Sequence, residues 1–260
     1  MKLESAVKYF SPKSQAFTDS SRATATDNLT GTDLMGAIGM CQSKSPFGMA
    51  AYMAKTGVSN DDRYRTIEQL LSYAHRTVPK LVAKAAGSQL GKCLVVLSKL
   101  AFEEYSRSAA TTSNCQHCSG TGFNKVQRDV VKYAGYVNSF TGEEVIAPRT
   151  ETELVEERCQ HCAGKGKVTA RCRCNGTGRV RDLAESARQG APVDRECERC
   201  SGRGFKRMPG TRAYRAVSVM IPDLNERTWN RNWRPFFEKL VAKCEIEENH
   251  ADAEFSKITR

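Results

Sequence analysis

Four short cysteine motifs constrain the fold of this 260-residue chain more than any other feature. They read CQHCSGTG from Cys115, CQHCAGKG from Cys159, CRCNGTG from Cys172 and CERCSGRG from Cys197, and we call them knuckles one to four. Glycines follow two and four positions after the second cysteine of each knuckle. A tight turn of this kind presents two sulfur atoms to one ion, so two knuckles can complete a tetrahedral zinc site. The sequence therefore predicts two zinc ions as structural cofactors.

Two other uses of paired cysteines fit the sequence less well. Disulfides need an oxidising compartment, and the opening MKLESAVKYF lacks the apolar run of a signal peptide. One Cys-x-x-Cys turn could be a redox pair, but four turns with the same glycines favour metal binding. No membrane-spanning segment is expected either. Cys41, Cys93 and Cys244 are isolated, and we interpret them as ordinary semi-buried thiols.

The spacing of the knuckles leaves two ways of pairing them. Only nine residues, 163–171, separate knuckles two and three, which favours a nested arrangement. In that arrangement one zinc ion is bound by Cys115, Cys118, Cys197 and Cys200, and the other by Cys159, Cys162, Cys172 and Cys174. The alternative is sequential pairing, one with two and three with four. A single residue separates the cysteines of knuckle three, so its local geometry must differ from that of the others.

The charge of the chain points to an acidic partner. Its formal net charge is +11, and residues 205–243 carry nine Lys and Arg against three Asp and Glu. A basic excess of this kind is typical of proteins that bind nucleic acid. Only four histidines occur, and two of them lie inside knuckles. A hydrolytic site built on histidine is therefore not expected.

Residues 1–58 are predicted to be a flexible N-terminal segment with short helices. The segment 11–31 is rich in Ser, Thr and Ala and poor in large apolar residues, which predicts an extended or disordered conformation. Short helices are expected near residues 33–40 and 47–55.

Residues 59–114 are predicted to be a helical body. Ser59 or Asn60 can cap a helix that Pro79 ends, and Ser88 can cap a second one. The second helix carries an apolar stripe expected to pack into the core: Leu90, Leu94, Leu97, Ala101 and Tyr105.

The zinc-knuckle region is expected to span residues 115–204. Between knuckles one and two, β-branched and aromatic residues flank the turn sequence SFTGEE, which predicts a hairpin or a short irregular arm. The sequence DLAESARQGAP between knuckles three and four predicts one or two helical turns.

Residues 205–243 resemble a helix-turn-helix. Pro209 can begin a helix that Pro222 stops, and a turn at Asp223 leads into a second helix near residues 226–243. On the second helix Trp229 and Trp233 are expected inside. The polar side chains Thr228, Asn230, Arg231 and Arg234 are expected to face double-stranded DNA, because Arg and Asn can contact base edges bidentately. The alternative is a solvated basic face on a core helix hairpin. Pro235 predicts a kink or break, and residues 244–260 an acidic C-terminal tail or helix.

The predicted fold class is therefore mainly α-helical. It includes a small irregular or β zinc-binding module of four knuckles and a helix-turn-helix.

Longer stretches in the same order resemble a known family. They are MKLESAVKYFSPKS, SSRATATDNLTGTDLMGAIGM, PFGMAAYMAK, YSRSAATTSNCQHCSGTG, KRMPGTRAYRAVSVMIPDL and TWNRNWRP. These stretches are similar to the late-gene antitermination protein Q family of lambdoid bacteriophages. The likeness covers both ends of the chain and leaves out mainly the middle of the zinc region.

The resemblance implies a site and an insertion. It implies one family zinc site at Cys115, Cys118, Cys197 and Cys200, with a second zinc module inserted at about 124–190. It adds Arg212 and Arg215 to the residues expected to bind DNA.

The resemblance also implies a function. A transcription regulator, not an enzyme, is expected to bind promoter DNA and to engage bacterial RNA polymerase paused with its sigma factor. The modified polymerase would then read through pauses and terminators into the late genes. Nascent RNA and a host elongation factor are further partners that this function allows, in the cytoplasm of the bacterial host and without a membrane.

Knuckles of this type also look like the cysteine-rich region of J-domain co-chaperones, so a chaperone-like binding protein is the alternative function. The His-Pro-Asp tripeptide of those proteins does not occur in the sequence. A thiol oxidoreductase is a third class, which would keep its activity without zinc.

Overall fold

The structure, a computed structural model, describes residues 2–10, 29–137, 139–142 and 144–260. Most of the segment expected to be extended or disordered, residues 11–28, lies outside that range. The chain forms two units, Met1–Arg107 with Arg207–Arg260 (unit 1) and Ser108–Lys206 (unit 2). We describe each unit by itself.

Unit 1 is helical. Its helices are α1 (Leu3–Tyr9), α2 (Gly31–Lys44), α3 (Pro46–Thr56), α4 (Asn60–Thr77), α5 (Lys80–Ala86), α6 (Leu90–Tyr105), α8 (Gly210–Ser218), α9 (Glu226–Thr228) and α10 (Arg234–Ile258). A 3₁₀ turn (Gly87–Gln89) precedes α6, and a π-helical turn (Trp229–Trp233) joins α9 to α10. Helices α2 and α3 are the two short helices that the sequence predicted, although each is longer than expected. Helix α5 was not predicted.

Local signals in the sequence fix several helix ends. The Thr30 side chain accepts a hydrogen bond from the N–H of Asp33, whose carboxylate accepts one from the N–H of Thr30, so α2 begins with a capping box. Ser59 caps α4 through the N–H of Asp62, as predicted. The predicted cap at Ser88 is wrong, because that residue lies in the 3₁₀ turn and α6 has no side-chain cap.

The core of unit 1 gathers the apolar faces of α4, α6, α8 and α10. It includes the predicted stripe residues Leu94, Leu97 and Ala101, and Trp233 is fully buried within it. Helix α3 crosses α10 so closely that a Cβ atom on Gly48 would stand 2.0 Å from the carbonyl oxygen of Glu247. This crossing has room only for glycine.

The C-terminal residues 244–260 are not a detached tail. The alternative expectation of a helix is the one observed: α10 continues to Ile258, and Cys244, Ala251 and Phe255 are fully buried in it. Pro235 stands in the first turn of α10, where the π turn changes to an α-helix, so the predicted irregularity at Pro235 is a change of helix type.

The stretch Lys80–Tyr105 is the one segment of the described chain that is apolar and long enough, by length and composition alone, to cross a membrane. No such segment was expected from the sequence. The core helix of a soluble protein meets the same criterion, and the inward residues of α6 lie in the core of unit 1.

Unit 2 consists of short antiparallel strand pairs, one long hairpin and a two-turn helix. The strands are β1 (Thr112–Asn114), β2 (Phe123–Tyr133), β3 (Tyr136–Val137), β4 (Glu144–Ile146), β5 (Arg149–Arg158), β6 (Lys167–Thr169), β7 (Arg179–Arg181) and β8 (Asp194–Glu196). They pair as β1 with β6, β2 with β5, β3 with β4 and β7 with β8. Helix α7 (Leu183–Gln189) and the β2–β5 hairpin confirm the predictions made for those segments.

Candidate metal centres and helix pair

The eight knuckle cysteines form two clusters of four buried thiols. Cluster one contains Cys115, Cys118, Cys159 and Cys162, and cluster two contains Cys172, Cys174, Cys197 and Cys200. The nested pairing that the sequence favoured is therefore wrong, and the sequential alternative is the one observed. In particular, the set Cys115, Cys118, Cys197 and Cys200 does not come together.

Strand pairing explains the sequential arrangement. Knuckle one runs into β2, which pairs with β5, and β5 leads directly into knuckle two. In the same way β7 and β8 bring knuckles three and four together. The nine-residue link between knuckles two and three is used differently, because its strand β6 pairs back with β1. Sequence distance alone suggested that this link was a hairpin turn.

Reciprocal backbone contacts lock each pair of knuckles together. The N–H of Cys115 donates to the carbonyl of Gly166 (2.8 Å), and the N–H of Cys159 donates to that of Gly122 (2.9 Å). Cluster two repeats the pattern, from Cys172 to Gly204 (2.9 Å) and from Cys197 to Gly178 (2.8 Å). The last glycine of each knuckle is therefore part of the interface with its partner knuckle.

The geometry of both clusters fits zinc. Four sulfurs at a zinc–sulfur distance of about 2.3 Å stand about 3.8 Å apart in a tetrahedron. The Sγ–Sγ distances are 3.9 Å for Cys115–Cys159 and 3.7 Å for Cys118–Cys162. In cluster two they are 3.9 Å for Cys172–Cys197 and 3.8 Å for Cys174–Cys200, so the shorter third knuckle still completes a compact set. A disulfide would need about 2.05 Å.

Backbone N–H groups favour the thiolate form of particular ligands. Burial acts to raise the pKa of Cys118, but N–H groups of Gly122 and Gly120 outweigh it and lower the pKa to about 6. The same opposition lowers the pKa of Cys174 to about 7. Burial dominates for Cys115 and Cys200 and raises the pKa of each to about 11. A divalent cation would reverse that effect, because it stabilises thiolates directly.

We expect Gly178→Ala to release the metal of cluster two. A Cβ atom at position 178 would stand 1.9 Å from the carbonyl oxygen of Gly202, and the φ angle of +76° is itself strained for alanine. Gly190→Ala is the matched control, because Gly190 also has a positive φ (+66°) but no atom within 4 Å of its added Cβ. The zinc-to-protein ratio should fall from two to one for Gly178→Ala and stay at two for Gly190→Ala. Equal ratios for both variants would contradict this packing.

The residues predicted to bind DNA lie on α8 and on the helix that starts at Glu226. Tyr214 of α8 donates its hydroxyl to the carbonyl of Leu224, which fixes the turn between the two helices (2.9 Å). The Asn225 side chain caps the second helix through the N–H of Thr228 (2.8 Å). The arrangement is therefore two helices joined by a short, hydrogen-bonded turn.

Most of the predicted DNA contacts have exposed side chains. Arg215, Asn230 and Arg231 are exposed, whereas Thr228 is half-buried. Two of the predicted arginines have intramolecular partners: Arg212 lies 2.8 Å from a carboxylate oxygen of Glu103, and Arg234 lies 3.0 Å from one of Glu238. The exposed Arg227, in the first turn of the second helix, joins the same basic segment and was not predicted. Its position next to Thr228, a predicted DNA-binding residue, could have indicated that Arg227 also faces DNA.

Trp229 and Trp233 hold the second helix in unit 1, as predicted. Both are buried, and their rings stack with centroids 6.3 Å apart. Trp229 also packs against Tyr214 of α8 (5.8 Å). The basic side chains are thus carried on a packed scaffold.

Comparison with known proteins places the chain among phage regulators. The family model described as Antitermination protein Q matches residues 23–109 and 166–252. The chain is 43% identical over 261 residues to "Prophage antitermination protein Q homolog QuuQ" of Escherichia coli strain K12. It is 37% identical over 263 residues to "Antitermination protein Q" of Escherichia phage lambda and 35% identical to that of Salmonella phage P22. Each of these alignments covers all of both chains.

The family match includes cluster two and omits residues 110–165, which contain cluster one and the β2–β5 hairpin. The residues that the family model omits, 110–165, therefore differ from the inserted zinc module that was expected at about 124–190. The resemblance of both ends of the chain to lambdoid antitermination proteins is confirmed. This chain belongs to the Antitermination protein Q family.

Proposed function

We propose that this protein binds a DNA element at a phage late promoter, engages bacterial RNA polymerase paused there, and makes the polymerase read through later pauses and terminators. Membership of the Antitermination protein Q family carries this proposal, since it makes the protein a transcription antitermination factor and a regulator, not an enzyme. The chaperone-like alternative gains no support from these relatives.

The helix-turn-helix interpretation of α8 and the helix from Glu226 supplies the contact with double-stranded DNA. Exposed Arg215, Arg227, Asn230 and Arg231 are long or amide side chains suited to phosphates and base edges. Arg212 and Arg234 can join them by exchanging a surface carboxylate for a phosphate, because exposed ion pairs contribute little energy. The buried side chains of Trp229 and Trp233 support the helix behind these residues, so the proposed DNA-binding side chains stand on a rigid helix.

Zinc in both clusters is the proposed cofactor. Cys115, Cys118, Cys159 and Cys162 would hold one ion, and Cys172, Cys174, Cys197 and Cys200 the other. A closed four-thiolate zinc site has no open coordination position, so each ion stabilises structure and activates no water. We propose that residues 110–165 are the additional zinc module of this chain, because the family model leaves them out.

The proposed partners follow from antitermination itself. Polymerase with its sigma factor at the pause is the direct protein partner, in the cytoplasm of the bacterial host. Nascent RNA and a host elongation factor are further partners that this proposal allows. The basic surface of the protein suits a position close to nucleic acid in that complex.

We expect Arg231→Ala to weaken binding to the late-promoter duplex by about 1–3 kcal/mol, which is about 5- to 150-fold. Arg231 is exposed, so its removal should leave the fold intact. Gel-shift titration at a fixed salt concentration measures the change. Lys257→Ala is the control, because it removes a cation near the C-terminal end of α10, where Lys257 pairs with Glu254.

Unchanged affinity in Arg231→Ala would contradict the recognition-helix assignment. Equal loss in the Lys257→Ala control would show a dependence on net charge alone. Failure of the wild-type protein to prefer its promoter over a scrambled duplex would overturn the proposed DNA element.

A further inference from the structure

A long two-stranded arm, residues 123–158, extends from cluster one. Its strands β2 and β5 pair along their length, and β3 and β4 continue the arm to an end that we call the tip, residues 133–148. At the base of the arm the N–H of Cys159 donates to the carbonyl of Gly122 (2.9 Å), so the cluster fixes where the arm begins. Strand β2 has eleven residues and spans about 35 Å. The tip is therefore held at a distance from the cluster.

The arm has no core of its own. No residue of β2 or β5 is buried, and each sheet in the described part of unit 2 has only two strands. Two ion pairs cross the ribbon, Arg128 with Glu157 (2.7 Å) and Lys132 with Glu153 (2.7 Å). Exposed ion pairs contribute little energy, and a two-stranded ribbon is only marginally stable in water. A packing partner would therefore stabilise the arm.

The arm also exposes much apolar surface. Among the described residues, nine of the nineteen exposed large apolar side chains lie within residues 123–154. Five of the nine belong to the tip: Tyr133, Tyr136, Phe140, Val145 and Ile146. Tyr136 stands opposite Ile146 in the β3–β4 pair, so their side chains share one face. Single exposed apolar side chains are common on protein surfaces, but a group of them marks an interaction site.

The charge of the arm disfavours a nucleic acid as its partner. Residues 123–158 contain five Lys and Arg against seven Asp and Glu, in a chain whose net charge is +11. The tip contains two Glu and no Lys or Arg. Phosphate backbones are bound by Lys and Arg. Proteins that stack single-stranded bases on aromatic side chains combine them with a positively charged groove, which the tip lacks. The tip therefore suits a protein surface.

We infer that the tip of the arm docks on an apolar surface of bacterial RNA polymerase that is bordered by basic side chains. Exposed aromatic side chains such as Tyr136 and Phe140 are typical anchors of protein interfaces, and the acidic charge of the arm complements a basic border. Polymerase is the protein partner in the proposed function, on which this inference rests. The arm lies within residues 110–165, so this contact is outside the part of the chain that the family model covers.

The test is Phe140→Asp. Affinity is measured for the late-promoter duplex alone and for the same duplex carrying paused polymerase with its sigma factor. The affinity that polymerase adds should fall about tenfold or more, because a carboxylate cannot replace an aromatic anchor. Affinity for the duplex alone and a zinc-to-protein ratio of two should be unchanged, since Phe140 is 98% exposed. Leu183→Asp is the matched control, because Leu183 is an exposed apolar residue of unit 2 that lies in α7, outside the arm.

A second variant replaces residues 134–148 with Asn-Gly, a two-residue turn suited to joining the paired residues Tyr133 and Arg149. It should lose the same polymerase-dependent affinity and keep two zinc ions. Wild-type affinity for paused polymerase in both variants would overturn the inference. So would an equal loss in the Leu183→Asp control, or a loss confined to the duplex alone or to single-stranded RNA. If polymerase added no affinity to the wild-type protein, the proposed function itself would fail.

Discussion

Cys197→Ser is expected to release one of two zinc ions and to unfold the region around cluster two. Cys197 is 4% exposed, and its sulfur lies 3.9 Å from the Cys172 sulfur. The variant therefore leaves cluster two with three of its four sulfur ligands. A structural zinc ion contributes on the order of 10 kcal/mol to folding, which is comparable to the whole free energy of unfolding of a typical domain. Strands β7 and β8 are only three residues each, and Val180 of β7 packs against the thiols of cluster two themselves. Zinc content, circular dichroism and promoter binding should all fall.

A double variant tests the sequential pairing itself. Cys115→Ser with Cys159→Ser removes two ligands of cluster one and leaves cluster two complete. We expect one zinc ion per chain to remain. A nested arrangement would lose both ions in this variant, because each site would then lack one ligand. Native mass spectrometry of the purified protein distinguishes one bound ion from none.

Trp233→Ala is expected to destabilise unit 1 by about 3–5 kcal/mol. The Trp233 side chain is fully buried, stacks on Trp229 and belongs to the core shared by α4, α6, α8 and α10. Its loss should loosen the helix that carries Arg231, so promoter affinity should fall together with the unfolding temperature. Denaturant unfolding followed by tryptophan fluorescence and circular dichroism measures the change.

Trp233→Phe is the control for that substitution. The Nε1 atom of Trp233 is buried, and among the described residues it has no hydrogen-bond partner. Phenylalanine keeps an aromatic ring and removes this unsatisfied donor, so the loss of stability should be much smaller than for alanine. A similar loss for both variants would show that the ring does not support the core as the structure indicates.

The sequence predicted those parts of the fold that depend on local chemistry. Ser59 at the start of α4 and the apolar stripe of α6 follow from capping and helical periodicity, which act within a few residues. The knuckles predicted four-thiolate clusters because each cysteine pair with its glycines is a self-contained turn. Burial of Trp229 and Trp233 followed from the same periodic reasoning.

The pairing of the knuckles could not be read from spacing. It depends on the register of β2 with β5, which places Phe123 opposite Arg158 and so brings knuckle one to knuckle two across the 36 intervening residues, 123–158. Loop closure over such a length costs only slightly more than closure over nine residues, so proximity in sequence was a weak guide. The close approach of Gly178 to Gly202 is likewise a contact between distant segments.

Of the two alternatives expected for residues 244–260, an acidic tail or a helix, the helix is the one observed, because α10 runs to Ile258. Five acidic residues in this segment suggested a solvated tail. Their apolar neighbours Cys244, Ala251 and Phe255 lie on one face, which packs against helices from the opposite end of the chain. The N–H of Leu3, for example, donates to the carboxylate of Asp252 (2.9 Å).

Transcription by purified bacterial RNA polymerase tests the central claim most directly. The template carries the late promoter that this protein serves, followed by a terminator, and the fraction of transcripts that pass the terminator is measured with and without the protein. We expect the zinc-loaded protein to raise that fraction strongly, and to do so only on templates with its own promoter. An unchanged fraction on the cognate template would contradict the account.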